Sequence, residues 1–133
     1  MSALRASRIQ NLTWEVTIGG AKVYLTADIA EDGRCAGIWL QKHLRQSDAE
    51  TRSWADLWAL AFTKALRCGC SLDSLVDAYL FVRTDDGGVV QGDAQIKMAT
   101  SIVDYVAKRL AIEFLGRDEL ANVRLPVERR REA

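Results

Sequence analysis

Apolar and polar residues alternate at the start of this chain, and further on the apolar ones recur every third or fourth position. Trp14, Val16 and Ile18 are interleaved with Thr13, Glu15 and Thr17, the period-two pattern of a half-buried strand beginning at Leu12. Gly19-Gly20 follows, and glycine supplies the positive φ of a two-residue hairpin turn. Alternation resumes over Lys22–Ala30, with Val23, Leu25, Ala27 and Ile29 on one face and Lys22, Tyr24, Thr26 and Asp28 on the other. Glu31-Asp32-Gly33-Arg34 is a second turn. Cys35–Lys42 reads as a third strand, with Ile38 and Leu40 on one face and Trp39 on the other. Three such strands make an antiparallel meander whose second face, carrying Tyr24 and Trp39, is a candidate for cover.

After a connector over His43–Gln46 the period changes. Ser47-Asp48-Ala49-Glu50 matches a capping box, predicting a helix to about Cys68 with Trp54, Leu57, Trp58, Ala61, Phe62, Ala65 and Leu66 inward and Gly69 as its stop. Ser71 reads as an N-cap for a shorter helix carrying Leu72, Leu75, Val76 and Tyr79. Leu80-Phe81-Val82 fits either an extended segment or the end of that helix. Thr84–Gly92 reads as a loop. The strongest signal is Asp93–Gly116, where Ile96, Ala99, Val103, Val106, Leu110 and Phe114 form one helical stripe. Asp93 is its expected N-cap and Gly116 its expected left-handed C-terminal residue. Residues 117–121 are placed in one further turn. Strands first and helices after define an α+β fold, a three-stranded antiparallel meander followed by two to three helices packed on one face. One domain spans 1–133, with an ordered core of about 12–121 and flexible ends.

Composition narrows the function classes. Apolar residues make up 49% and charged residues 27% of 133, the balance of a globular domain able to bury one core. Eighteen basic and eighteen acidic side chains cancel, which disfavours a nucleic-acid-tracking surface. The run Arg129–Arg131 reads as a solvated tail. No stretch approaches the roughly 20 apolar residues of a membrane span, and the first ten residues lack a secretory apolar core. Three cysteines, an odd number, argue against a disulfide framework, so a reducing cytoplasm is the expected compartment. Exposed sheet edges, four tryptophans and wide apolar stripes predict a homo-oligomer, a dimer or larger.

Candidate chemistry is sparse. His43 is the only histidine, has no triad partner nearby, and reads as a surface residue. Cys68 and Cys70 form a C-x-C with Cys35 distant; a closed zinc site wants about four ligands in spaced pairs, so the pair reads as structural at a helix end. Nothing calls for a metal or a cofactor. The loop before the long helix is the candidate ligand site. Gly87 and Gly88 precede a helix start whose free amides suit an anion, Arg83 flanks the loop, and Lys97 and Ser101 lie one expected turn apart. Asp85, Asp86 and Asp93 oppose a phosphate there, and an exposed loop with a capped helix explains the same residues. Asp104 and Lys108 form an ordinary i, i+4 pair.

A family resemblance runs from about Trp14 to Ala121. Its residues are IGGAKVYL (Ile18–Leu25), EDGR (Glu31–Arg34), ALRCGCSLDSLVDAYLFVR (Ala65–Arg83) and GGVVQGDAQIKMATSIVDYVAKRLAIEFLGRDELA (Gly87–Ala121). Within the last, the Ile-Lys pair, SI-DY, the arginine one turn on and LGRDELA are the most distinctive. In order and spacing the chain resembles the C-terminal domain of adenosylcobalamin-dependent (vitamin B12-dependent, class II) ribonucleotide reductases and the small TSCPD-type domains related to it. It departs from that pattern at Ala36–Trp39, Leu66–Gly69 and Arg83–Asp86. The resemblance implies a non-catalytic module, separate from the barrel, radical cysteine and cobalamin site that ribonucleotide reduction needs. Its expected role is accessory or regulatory, or nucleotide-binding, in deoxyribonucleotide metabolism, with a reductase or a nucleotide as partner. The alternatives are a small oligomeric protein, of phage or prophage origin, that sequesters a nucleotide-derived signal, and a purely structural interaction module.

Overall fold

A computed structural model describes residues 10–43 and 49–123, with side-chain surroundings for 10–41 and 54–123. Strands β1 (Gln10–Ile18), β2 (Ala21–Ile29) and β3 (Cys35–His43) form the meander, followed by helices α1 (Ala49–Arg67) and α2 (Leu72–Tyr79). Two short strands, β4 (Gly88–Gln91) and β5 (Met98–Ala99), lead into α3 (Ile102–Leu115) and a 3₁₀ turn over Asp118–Leu120. Among the described residues the sheet has five strands in the order β3-β2-β1-β4-β5, antiparallel throughout.

The hairpin register follows from the turn. Ile18 faces Ala21 across Gly19 and Gly20, whose φ values of +56° and +89° are those of a two-residue turn that matches strand twist. Pairing in this register puts Val16, Ile18, Val23, Leu25 and Ala27 on one face with Ile38 and Leu40, all buried. The opposite face is open, and Trp39 on it is 61% exposed. Among the described residues nothing supplies the cover expected there.

α1 lies along the outer strand β3. It turns Ala55, Ala59 and Phe62 into the core, and Trp58 packs on Phe62 and Tyr79 with ring centroids 5.4 and 5.2 Å apart. Leu57 and Ala61, expected inward, point outward instead, and Leu57 is 66% exposed. The inward stripe runs through small residues because the helix approaches the strand closely. Thr63 marks that approach: its Oγ1 accepts from the Ile38 amide at 2.9 Å and donates to the Ile38 carbonyl at 3.1 Å. A Cβ at Gly37 would stand 2.8 Å from the Thr63 methyl, so glycine is needed there. The capping box at Ser47–Glu50, the connector 44–46, the lead 1–9, and Pro126 with the arginine run lie outside the described residues or their described side chains.

α3 is the interior element. Eleven of its residues are buried, among them Asp104, Arg109 and Glu113, so it is enclosed on nearly all sides rather than amphipathic. It ends as expected, with Gly116 in the left-handed region at φ 66°. It begins eight residues later than expected, at an N-cap on Ser101 rather than Asp93. Ile96 and Ala99 are buried, but from an extended segment; a spacing of three fits a loop-to-strand path as well as a helix. The extra strands exist because glycine backbones meet. The Gly19 amide donates to the Val89 carbonyl at 3.0 Å, and a Cβ on Gly19 would lie 2.6 Å from the Gly87 carbonyl oxygen. The Leu80–Val82 segment resolves into a helix cap at Leu80 and a left-handed Phe81 at φ 64°.

Truncation at the core should separate the two kinds of leucine. Leu110→Ala, at a site with no exposure, is expected to destabilise by about 2–5 kcal/mol, read by urea unfolding. Leu57→Ala should change stability by no more than about 0.5 kcal/mol.

Candidate functional site

The loop from Arg83 to Ser101 brings the sequence-derived candidates to one junction, where β4, β5 and the start of α3 meet. Arg83 is exposed, and the next residue, Thr84, donates its amide to Thr100 at 3.1 Å. Gly87 packs on the Ala99–Thr100 backbone, leaving no room for a Cβ. Gly88 pairs with Ala99. Lys97 is exposed, and its Nζ donates to the Asp93 carbonyl at 2.7 Å. Ser101 is fully buried, and its hydroxyl accepts from the Asp104 amide at 2.9 Å. Lys97 and Ser101 are therefore not on one helical face, because Lys97 precedes the helix.

The helix start is already occupied by carboxylates of the chain itself. Asp86 accepts from the Ile102 amide at 3.1 Å and from the Thr84 hydroxyl. Asp104, with no exposure, accepts from the Phe81 amide at 2.7 Å and the Thr100 amide at 2.9 Å. Lys108 joins it at 2.9 Å. The i, i+4 pair is thus present, but its aspartate also ties together both ends of the loop. A left-handed phenylalanine is strained, and the bond from its amide to Asp104 holds it there. Its ring is 61% exposed and lies under Lys108 Nζ, 5.1 Å from the ring centre.

An electrostatic centre lies one layer deeper, among residues whose sequence pattern shows only a cap and a motif. Asp93 Oδ1 accepts from the Gln95 and Ile96 amides at 2.8 and 3.0 Å. This is the capping chemistry expected of Asp93, applied to a turn in an extended segment. Both its oxygens also receive Arg109 Nη1 at 3.0 Å, and Oδ2 receives the Tyr105 hydroxyl at 2.7 Å. Arg109 Nη2 donates to Gln95 at 2.8 Å, comes within 3.9 Å of Glu113, and its guanidinium lies 5.3 Å from the Trp14 ring centre. Burial pushes the Asp93 carboxyl upward, but the Arg109 charge and the amide and hydroxyl bonds together hold it below the usual carboxylate range. Burial and the neighbouring Asp93 charge push the Tyr105 phenol well above its ordinary value. A neutral tyrosine and an ionised aspartate make this a fixed ionic knot rather than a proton-transfer pair. The signal for it was present: Tyr105 and Arg109, four apart, lie beside the apolar stripe and belong to the SI-DY-plus-arginine motif.

A separate cavity of about 630 Å³ opens between the β2–β3 turn, the α1–α2 junction and the end of α3. Cys35, Leu66, Cys70, Leu72 and Phe114 line it, with Arg34 and Arg67 also on its walls. Burial pushes the Cys35 thiol up to about 11, which leaves it protonated and weakly nucleophilic. Cys68 and Cys70 are exposed at the end of α1, the helix-end position expected for them. Among the described residues no group of three or more histidine, cysteine, aspartate or glutamate side chains could hold a metal ion. The His43 side chain lies outside them. No helix among the described residues is long and apolar enough to cross a membrane.

Comparison with known proteins supports the resemblance. The chain is 39% identical over 117 residues to the vitamin B12-dependent ribonucleotide reductase of Agrobacterium fabrum, covering 88% of this chain and 9% of that protein. It is 40% identical over 116 residues to the enzyme of the same name from Bradyrhizobium diazoefficiens, covering 87% and 9%. Against the Streptantibioticus cattleyicolor enzyme it is 30% identical over 104 residues, 78% of this chain and 17% of the other. Nearly all of this chain is therefore similar to one small segment of these reductases, and it spans about 9% of the length of the first two. No family model matches it, and no solved structure does.

Asp93→Asn is expected to cost about 3 kcal/mol at neutral pH, because it leaves Arg109 buried without its counter-charge. The folded-state pKa of Asp93 is depressed, so its stabilisation is full above the unfolded carboxylate value of about 3.9 and is lost as pH falls through the lower folded value. The stability gap between wild type and Asp93→Asn should therefore shrink as pH falls below about 4. Urea unfolding at a series of pH values checks this; a gap constant from neutral to acid pH contradicts it.

Proposed function

We propose that this chain acts as a non-catalytic module in deoxyribonucleotide metabolism, binding a vitamin B12-dependent ribonucleotide reductase as an accessory or regulatory unit. The observation that carries this reading is the coverage of the match: 39–40% identity over 87–88% of this chain, against 9% of each reductase. On this reading the radical and cobalamin chemistry belongs to the remainder of those enzymes. The buried polar groups agree with it, since Asp93 is taken up by Tyr105 and Arg109 and Asp104 by Lys108. A protein-binding role draws instead on surface shape and exposed apolar side chains.

Pull-down of a purified vitamin B12-dependent reductase by this protein, with turnover measured in its presence and absence, is the test. The expected result is a stable complex and a changed rate, with no turnover by this chain alone. Absence of both binding and any rate change overturns the reading.

A second reading, capture of a nucleotide, is favoured by one observation: Arg83 and Lys97 keep exposed cationic side chains at the glycine-lined junction formed by Gly87, Gly88 and Ser101. Phosphate contact then falls to these two side chains rather than to the helix amides. Calorimetric titration with a panel of ribo- and deoxyribonucleotides is expected to give heats that Arg83→Ala and Lys97→Ala abolish; flat titrations with wild type exclude it.

A further inference from the structure

The outer side of α1 carries the most exposed apolar surface that neither the core nor the loop junction uses. Leu57 and Leu60 on α1 and Trp39 on β3 are 66%, 60% and 61% exposed. They border a groove of about 460 Å³ between the helix and the edge of the sheet. Isolated exposed leucines need no explanation, but a contiguous apolar groove rimmed by charge marks an interaction surface.

Two features say what fits the groove. First, the strand edge beneath it is closed at its centre. Thr63 takes both the amide and the carbonyl of Ile38, so a partner strand cannot add there by backbone pairing. The occupant must come as a side-chain surface, such as a helix. Second, the charges on the helix side of the groove are arranged head to tail. Asp56, Leu60, Thr63 and Arg67 all line it, and their spacings of four, three and four place them on one stripe of α1. The stripe runs from an acidic to a basic end over roughly 16 Å at 1.5 Å per residue.

Such a stripe is complementary to itself when reversed. Laid antiparallel across a two-fold axis, Asp56 meets the partner's Arg67 and Leu60 crosses the partner's helix at the level of residue 63, whose own side chain is turned to β3, and both contacts recur by symmetry. One register pairs the charges and places both Leu60 side chains between them, and an isologous interface requires that self-complementarity. Leu57 and Trp39 then extend the apolar contact on either side of the paired helices. We propose that the α1–β3 groove is the interface of a symmetric homodimer, in which the occupant is α1 of a second copy.

Analytical ultracentrifugation of the full chain over micromolar to millimolar concentration tests this. Wild type is expected to dimerise, and Leu60→Glu to run as a monomer with unchanged circular dichroism, since residue 60 lies outside the core. Asp56→Arg and Arg67→Asp should each weaken the dimer by about tenfold or more through like-charge contact. The double variant, which restores opposite charges in both copies, should recover most of the affinity. A monomeric wild type, or a dimer indifferent to Leu60→Glu, overturns the proposal. So does a double variant as weak as the two single ones, because the antiparallel register demands their compensation.

Discussion

A helix enclosed on nearly every side cannot carry charged residues unless each finds its counter-charge inside. α3 buries three, Asp104, Arg109 and Glu113, and the surrounding structure is arranged to meet them. Arg109 is neutralised by Asp93, a residue sixteen positions earlier in an extended segment. Asp104 is met by Lys108, by the Phe81 amide just after α2 and by the Thr100 amide just before α3. Removing one partner from a buried pair costs several kcal/mol, whereas the intact pair stabilises much less. The network therefore works mainly as a specification: the segments before α3 are fixed because any other path would strand a charge in the core.

The extension of the sheet follows from that constraint. Once Asp93 is anchored to Arg109 and Tyr105, the chain on either side of it must run extended, and it pairs as β4 and β5. Those strands reach the hairpin only because Gly19, Gly87 and Gly88 allow backbone to touch backbone. The Ile-Lys pair, SI-DY and the arginine that carry the resemblance to vitamin B12-dependent reductases are largely this same network, seen in sequence. The most recognisable part of the chain is thus its folding device. The network leaves uncommitted the α1–β3 groove, the loop junction with its exposed phenylalanine, and the cavity beside Cys35 and Cys70.

The meander was legible because period-two alternation and glycine turns are local signals that nothing overrode. Ser71 and Gly116 were legible for the same reason. The start of α3 was not, because Asp93 accepts from amides two and three residues ahead whether the chain continues as a helix or as a turn. Ile96 and Ala99 compounded this, since they are core residues at a spacing both states share. β4 and β5, four and two residues long, are too short to show a period. Along α1 the large residues drew attention, but close packing against β3 selected the alanines and turned Leu57 outward. Of the candidate site, the sequence pointed to the loop before α3, yet the pull of Arg109 on Asp93 spans sixteen residues, and the helical spacing by which that stretch is read does not pair them.

The claim that one buried ionic contact fixes the fold is tested most directly by a double-mutant cycle on Asp93 and Arg109. Asp93→Asn, Arg109→Met and the pair together would be compared with wild type by equilibrium urea unfolding. The account predicts strong coupling, about 2–3 kcal/mol, with the double variant little worse than either single one. Losses that simply add, to within about 0.5 kcal/mol, would show that the two residues stabilise the domain independently and would contradict it.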